Sequence, residues 1–162
     1  MKRILLIVAI VLSLSVAAAA IAYTYESADP VTGTLTTDSV IEMTLNSTAS
    51  SSILLSQGEP TVYPIVCDMN ASKSAPQNGV GTLTITLMDT IVFSMDEVNV
   101  TVYNDENCTS PVAGATQTGA GVITIPNISS RRTLYLRVFV PDTLTDVTGV
   151  GGTIRFAFNR VG

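Results

Sequence analysis

The stretch that decides the fold is Thr82-Leu83-Thr84-Ile85-Thr86-Leu87, in which apolar and hydroxyl side chains alternate without exception. Successive side chains of a strand point to opposite faces of a sheet, so this alternation puts Leu83, Ile85 and Leu87 on one buried face. An amphipathic helix would need apolar residues three or four positions apart, which is not the spacing found here. The stretch therefore predicts a strand with one face in a core and one face in solvent.

The same period of two recurs on both sides of this stretch, and turn signals such as Gln77-Asn78-Gly79 separate the segments. The other predicted strands are Thr34 to Leu45, Ser52 to Leu55, Thr61 to Cys67, Ile91 to Met95, Val98 to Val102, Val122 to Ile125, Leu134 to Val140 and Ile154 to Phe158. No convincing helical stretch follows the N-terminal apolar run. We therefore predict an all-β fold, a single β-sandwich of the jelly-roll or immunoglobulin-like kind over residues 23–162.

The first 22 residues have a different character from the rest of the chain. Lys2 and Arg3 precede a run from Ile4 to Ala22 whose only polar residues are two serines. A positive segment followed by an apolar segment is typical of a secretory signal helix. Residues 1–22 are therefore predicted to be a signal peptide.

Small residues mark the predicted cleavage site. Ala20 and Ala22 form an A-x-A pattern directly before Tyr23, which predicts cleavage of the Ala22–Tyr23 bond, and Ala18-Ala19-Ala20 is a second candidate. The alternative is an uncleaved membrane anchor, because nineteen mostly apolar residues can just span a hydrocarbon core about 30 Å thick. The alanine-rich second half favours cleavage, since a signal peptidase requires small residues.

The charge and composition exclude several classes of partner. The chain has no histidine and no tryptophan, and its formal charge of -5 becomes -7 when Lys2 and Arg3 are removed with the signal. An acidic chain with scattered arginines has no basic surface for nucleic acid or for an anionic membrane. We expect contact with a membrane only through the signal segment before cleavage, and an extracellular or cell-surface location afterwards.

The residues for catalysis are missing from the sequence. Without histidine, neither a Ser-His-Asp arrangement nor an H-E-x-x-H zinc site can form. The adjacent carboxylates Asp96-Glu97 and Asp105-Glu106 would point to opposite faces of a strand, so they do not converge as a catalytic pair. No phosphate loop or dinucleotide fingerprint is present. We therefore predict a protein that is not an enzyme and has no catalytic residue, cofactor or metal.

Two cysteines, Cys67 and Cys108, follow the signal. In an exported protein such a pair is more often bridged than free, so we predict a disulfide between them. A loop of this length would stabilise the fold by about 3–4 kcal/mol in the chain-entropy model. The alternative is two unpaired thiols. A zinc site is remote, because two cysteines without histidine do not complete a tetrahedral set.

Five of the eight asparagines lie in N-x-[ST] sequons without proline in the middle. The predicted N-glycosylation sites are Asn46, Asn70, Asn99, Asn107 and Asn127. If these sites carry glycans, an archaeal or eukaryotic host is favoured over a typical bacterium. The motif does not identify which sites are occupied.

Both ends of the mature chain resemble a known family. Ala22-Tyr23-Thr24-Tyr25-Glu26-Ser27, followed by Thr32-Gly33-Thr34-Leu35-Thr36, is similar to the start of TasA and camelysin-type proteins. The stretches from Leu134 to Asp142 and from Gly152 to Asn159 resemble the closing strands of that family. The cysteines and dense sequons make archaeal relatives that form bundling pili the nearer analogy. The resemblance implies a jelly-roll domain that polymerises with other copies of itself into extracellular fibres of biofilm matrix.

The resemblance suggests assembly by donor-strand addition. After cleavage the chain would begin with an extended-prone segment from Tyr23 to Leu35, with Tyr23, Tyr25, Val31 and Leu35 as its strand residues. Such a segment can add to an open sheet edge of the next copy, where backbone hydrogen bonds give affinity. The alternative, of equal weight, is that residues 23–37 form the first strand of their own sandwich.

Two other functions remain open. One is a cell-surface binding or adhesion module that does not polymerise and is held by an uncleaved N-terminal helix. The other is a carbohydrate-binding sandwich, which would require Tyr63, Tyr103 and Tyr135 on its outer faces. The absence of tryptophan weakens this last interpretation.

Overall fold

The computed structural model describes residues 22–25, 31–35, 39–69, 79–91, 93–142 and 150–161. Within these residues the chain forms eleven strands. In chain order they are β1 (Ala22–Tyr25), β2 (Val31–Thr34), β3 (Val40–Thr44), β4 (Ser47–Leu54), β5 (Thr61–Asp68), β6 (Val80–Met88), β7 (Asn99–Tyr103), β8 (Pro111–Thr118), β9 (Gly121–Ile128), β10 (Arg132–Phe139) and β11 (Gly151–Val161). In that part of the chain, no helix has both the length and the apolar character to cross a membrane. The predicted signal helix, up to residue 21, lies outside the described residues.

The strands form two sheets that pack face to face. Sheet A has the strand order β1-β3-β5-β10-β7-β8, and sheet B has the order β2-β4-β11-β6-β9. Most neighbouring strands are antiparallel, but β1 pairs with β3, β3 with β5, and β2 with β4 in parallel. The predicted all-β sandwich is confirmed.

The core follows the alternation that the sequence predicts. In β6, Leu83, Ile85 and Leu87 are buried, whereas the threonines between them are half-buried on the outer face of sheet B. On the neighbouring strand β11, Phe156 and Phe158 are fully buried and pair with Ile85 and Leu83. Burying such a side chain stabilises the fold by about 1.5–3 kcal/mol. The inner face of sheet B is therefore a main source of stability.

One predicted strand is two strands in the structure. The segment from Thr34 to Leu45 separates into the end of β2 on sheet B and the whole of β3 on sheet A. Ser39 lies buried before β3 begins. The alternation alone did not show this division. When a chain passes from one sheet to the other, its apolar side chains point into the core both before and after the change of sheet.

The segment from Ile91 to Met95 is not a strand, so that prediction was wrong. The Thr90 side chain accepts a hydrogen bond from the Phe93 amide (3.0 Å), and the Thr90 amide donates to the Phe93 carbonyl (2.8 Å). These local bonds close a turn, because a threonine hydroxyl competes for the backbone groups that a strand would pair. In the described part of this loop, only Ser94 forms a β-bridge, which is an isolated one with Val150.

Strand β8, which spans Pro111–Thr118, was missed by the sequence analysis. Its residues are small or polar, and Ala115 is its only fully buried side chain. Alanine and glycine are depleted in strands, so the local pattern does not predict a strand here. Pairing with β7 places this segment in the sheet.

Candidate assembly site at the N-terminal strands

The N-terminal strands close both sheets on the same side of the sandwich. Strand β1 is an edge strand of sheet A and pairs only with β3, while β2 is an edge strand of sheet B and pairs only with β4. Each has four residues and a single parallel neighbour. We call β1 to β4 together the candidate assembly site, because this is where the segment proposed to join copies meets the sheet edges.

The predicted donor residues fall on both sheets rather than on one strand. Tyr23 and Tyr25 of β1 lie in register with Ile41 and Met43 of β3 on sheet A. Val31 of β2 lies in register with Ala49 of β4 on sheet B. The structure thus places these segments in their own sandwich, which is the alternative that the sequence left open.

Leu35 is fixed more firmly than the strand before it. Its side chain is only 6 % exposed, and its amide donates to the Ser52 carbonyl at a distance of 3.0 Å. A buried leucine stabilises its own domain by about 1.5–3 kcal/mol. Leu35 therefore belongs to the core of its own domain.

The edges under the N-terminal strands differ in side-chain size. On β3, the core-facing residues Ile41 and Met43 are large and fully buried. On β4, the core-facing residues next to the β2 edge are Ser47, Ala49 and Ser51, which are small and buried. Because these side chains are small, the β4 edge contributes less apolar surface to the core than the β3 edge does.

The opposite side of the sandwich is protected against strand addition. There, β8 and β9 are the edge strands and follow one another along the chain, so their short connection links the two sheets. Pro111 and Pro126 lie on these strands, and the pairing of both strands shifts register at an irregularity. Proline and bulges are the devices by which natural proteins block edge-to-edge pairing. An added strand is therefore disfavoured at this side.

The predicted cleavage bond lies at the beginning of β1. Ala22 is the first residue of this strand and is in register with Val40, and Tyr23 follows it in register with Ile41. Ala20 lies outside the described residues. A peptidase binds its substrate in an extended, accessible form, so cleavage at Ala22–Tyr23 requires β1 to be unpaired. Whether cleavage occurs stays a prediction.

The predicted disulfide is not formed in the structure, where both cysteines are free thiols. Cys67 lies fully buried between the sheets, and burial raises its pKa from 9.0 to about 12. Cys108 lies half-buried in the loop between β7 and β8, where desolvation also raises its pKa and the charge of Arg137 opposes that rise. The neighbours of Arg137 in β10, Leu136 and Val138, are buried, so Arg137 is on the outer face of sheet A. The two thiols thus lie on opposite faces of the sheet, which is why they do not meet.

The described sequons lie in turns or at strand ends. Asn46, Asn107 and Asn127 are exposed, and Asn46 and Asn127 have positive φ values of 66° and 62°. Asn99 is half-buried at the start of β7, and its side-chain Oδ1 accepts a hydrogen bond from the Thr118 hydroxyl of β8 at 2.8 Å. Asn70 lies outside the described residues. Glycosylation of these sites stays a prediction.

The tyrosines are divided between core and surface. Tyr63 is only 3 % exposed, and burial raises its pKa, so it is not available to a ligand on an outer face. Tyr103 and Tyr135 are half-buried and directly opposite each other on β7 and β10. Pro64 is in register with Tyr135, and Pro111 with Tyr103. The local sequence pattern does not predict that Tyr103 and Tyr135 lie side by side.

The chain matches no known family and resembles a solved structure only distantly. No protein-family model matches the chain, and no curated protein sequence matches it. Among solved structures, the chain is similar to PliG of Aeromonas hydrophila, a periplasmic lysozyme inhibitor of g-type lysozyme. The two are 10 % identical with a TM-score of 0.44, and the likeness covers 74 % of this chain and 98 % of the other. A likeness of this degree carries no conclusion about function.

Proposed function

We propose that this chain is an exported structural subunit that polymerises into an extracellular filament by exchanging its N-terminal strands between copies. One observation carries the proposal: the N-terminus closes both sheets on one side with two four-residue strands, each held by a single parallel neighbour. A segment that completes an edge within one copy can complete the same edge in the next, as in domain swapping.

The energy that holds β1 in its own copy is small. A four-residue pair offers only a few backbone hydrogen bonds, and each contributes a net of about 0.5–1.5 kcal/mol. Cleavage after Ala22 would leave three of the four paired residues, Tyr23 to Tyr25, and so would weaken this pairing further. Removal of the signal is then the event that favours exchange of β1 between copies.

The geometry of exchange makes an open polymer. The donated strand and the accepting edge are different surfaces of the chain, so contact between copies is head to tail. A head-to-tail contact that does not close on itself produces a filament. The protected β8 and β9 edges limit strand addition to one side, which favours a linear polymer over a branched aggregate.

Deletion of residues 23–30 tests the proposal. Negative-stain microscopy of the mature chain, Tyr23 to Gly162, should show filaments, and the deletion variant should give only separate particles. An excess of a synthetic peptide of residues 23–35 should also stop growth of the intact chain, whereas a scrambled peptide of the same composition should not. Long filaments of the deletion variant would show that the N-terminal strands are not the linker.

The alternative is an anchored surface module that does not polymerise. The pairing of β1 and β2 within their own sandwich favours it, because an occupied edge does not require a second copy. Mass spectrometry of the native N-terminus separates the two functions. A start at Tyr23 supports the secreted subunit, and a start at Met1 or Lys2 supports the anchored module.

A further inference from the structure

Exposed apolar side chains gather at one end of the sandwich, which we call the apolar end. Leu54, Met88, Ile91 and Val122 are exposed by 65 %, 37 %, 106 % and 56 %, respectively. Leu54 ends β4, Met88 ends β6, and Val122 is the second residue of β9. Among the described residues, Val161 is the only other large apolar side chain with this exposure. Apolar residues scattered singly need no explanation, but a group at one end marks an interaction surface.

The loops at the apolar end are tied to one another by backbone hydrogen bonds. The Gly58 amide donates to the Val140 carbonyl at 2.9 Å, and the Gly119 amide donates to the Val98 carbonyl at 3.0 Å. The amide of Gly151 donates to Ser94 at 3.1 Å. These bonds connect the described parts of the loops that follow β4, β6, β8 and β10.

Carboxylates surround the apolar residues. Their side chains are all exposed, and they lie in the loops that follow β4, β6 and β10: Glu59, Asp89, Asp96, Glu97 and Asp142. The described residues of these loops contain no lysine or arginine. The rim of the apolar end is therefore strongly negative.

The opposite end of the sandwich, where β10 begins and β11 finishes, carries cations; we call it the arginine end. Arg131 and Arg160 are exposed there, and Arg132 is half-buried and donates to the Asn104 side chain. Val161, which is 48 % exposed, is an apolar side chain at the same end.

Three acidic residues, Asp68, Asp105 and Glu106, lie at the same end, so its described charge is balanced rather than negative. The Asp105 carboxylate accepts hydrogen bonds from the Thr109 and Ser110 amides of its own loop.

We propose that the apolar end of one copy docks on the arginine end of the next. This contact rests on the proposed filament and supplies a second contact between its subunits. A second copy is the favoured occupant because two apolar ends in contact would oppose their carboxylate rims, and like charges across an interface cost several kcal/mol. An anionic bilayer is disfavoured for the same reason. The two ends are different surfaces, so the contact repeats head to tail, as the filament requires.

Charge reversal at each end, followed by mixing, tests the contact in the mature chain. One variant carries Asp96→Lys and Glu97→Lys at the apolar end, and a second carries Arg131→Glu and Arg132→Glu at the arginine end. In sedimentation velocity at low salt, each variant alone should associate at least tenfold more weakly than the wild type. An equimolar mixture should form pairs but no longer chains, because the unaltered arginine end of the first variant can still meet the unaltered apolar end of the second.

Two further variants protect this test against failure to fold. Arg131→Glu alone alters only an exposed side chain and should weaken association in the same direction. Ile91→Asp should abolish the apolar contact, whereas Thr124→Asp, which adds the same charge in the middle of the edge strand β9, should not. Unchanged thermal unfolding shows that each variant is folded.

The outcomes separate this contact from strand exchange. If the wild type forms filaments and the charge-reversed variants form them equally well, the end-to-end contact is wrong and the filament remains. If the wild type shows salt-sensitive association that each variant loses, but no filaments, the contact stands and the filament fails. Wild-type association that stops at a dimer, or binding of the mature chain to vesicles of anionic phospholipid that Ile91→Asp abolishes, would overturn the contact.

Discussion

The two thiols should differ greatly in their rate of alkylation. The thiolate is the reactive form of cysteine, and burial raises the pKa of Cys67 from 9.0 to about 12. At pH 8, about one in ten thiols of pKa 9 is ionised, against about one in ten thousand at pKa 12. Cys67 should therefore react about a thousandfold more slowly than an unperturbed thiol. Its complete burial slows the reaction further, since the reagent reaches it only after local opening.

Cys108 provides the internal comparison. It is half-exposed in a loop, and its thiol donates to the Glu106 carbonyl at 3.7 Å. Its pKa is also raised by desolvation, so we expect labelling slower than that of a free thiol but far faster than that of Cys67.

The assay treats the native mature protein with iodoacetamide at pH 8, without a reducing agent, and measures each cysteine by peptide mass spectrometry. In guanidinium chloride both residues should label at similar rates. The variant Cys108→Ser should leave the slow labelling of Cys67 unchanged. Equal native rates would refute the burial of Cys67. The absence of labelling even after unfolding, with a mass two daltons lower, would show the disulfide that the sequence predicted.

Three further predictions concern stability. Raising the pH from 9 to 12 should destabilise the wild type by up to about 4 kcal/mol more than Cys67→Ala, because the folded state retains the thiol proton that the unfolded chain loses above pH 9. The midpoints of urea unfolding measure this difference. If the midpoints of the two proteins fall in parallel as the pH rises, the prediction is wrong. Gly151→Ala should lower the free energy of unfolding by about 3–5 kcal/mol, because the φ of Gly151 is 144° and the new Cβ would overlap a carbonyl of β4. Gly114→Ala, with a φ of 73° and open space around the new Cβ, should lower it by about 1–2 kcal/mol. Equal urea midpoints for the two variants would refute this reasoning. The hydrogen bond from the Thr109 amide lowers the pKa of Asp105, so the stabilisation by this carboxylate is present above pH 3.8 and lost as the pH falls through the folded pKa. Asp105→Asn should therefore weaken the dependence of the melting temperature on pH between pH 5 and pH 2. An unchanged dependence would contradict this prediction.

Local patterns in the sequence were sufficient for the fold class. The alternation of Leu83, Ile85 and Leu87 with threonine predicted the strand, its buried face and its solvent face, and all three are present. Such patterns succeed because the side-chain period of a strand is a property of neighbouring residues. They failed where a local bond or a long-range pairing outweighed the pattern, as in the turn at Thr90 and in β8, whose small residues become a strand only beside β7.

Only the tertiary structure decided which surfaces meet. The sequence treated Tyr23 to Leu35 as one strand, but pairing with β3 and β4 divides it between two sheets. It paired Cys67 with Cys108, yet the inward and outward faces of sheet A separate them. It had no means to place Ile91 and Arg131 at opposite ends. The physical reason is that strand pairing and sheet packing join residues far apart in the chain, so their energies depend on partners that no local spacing identifies.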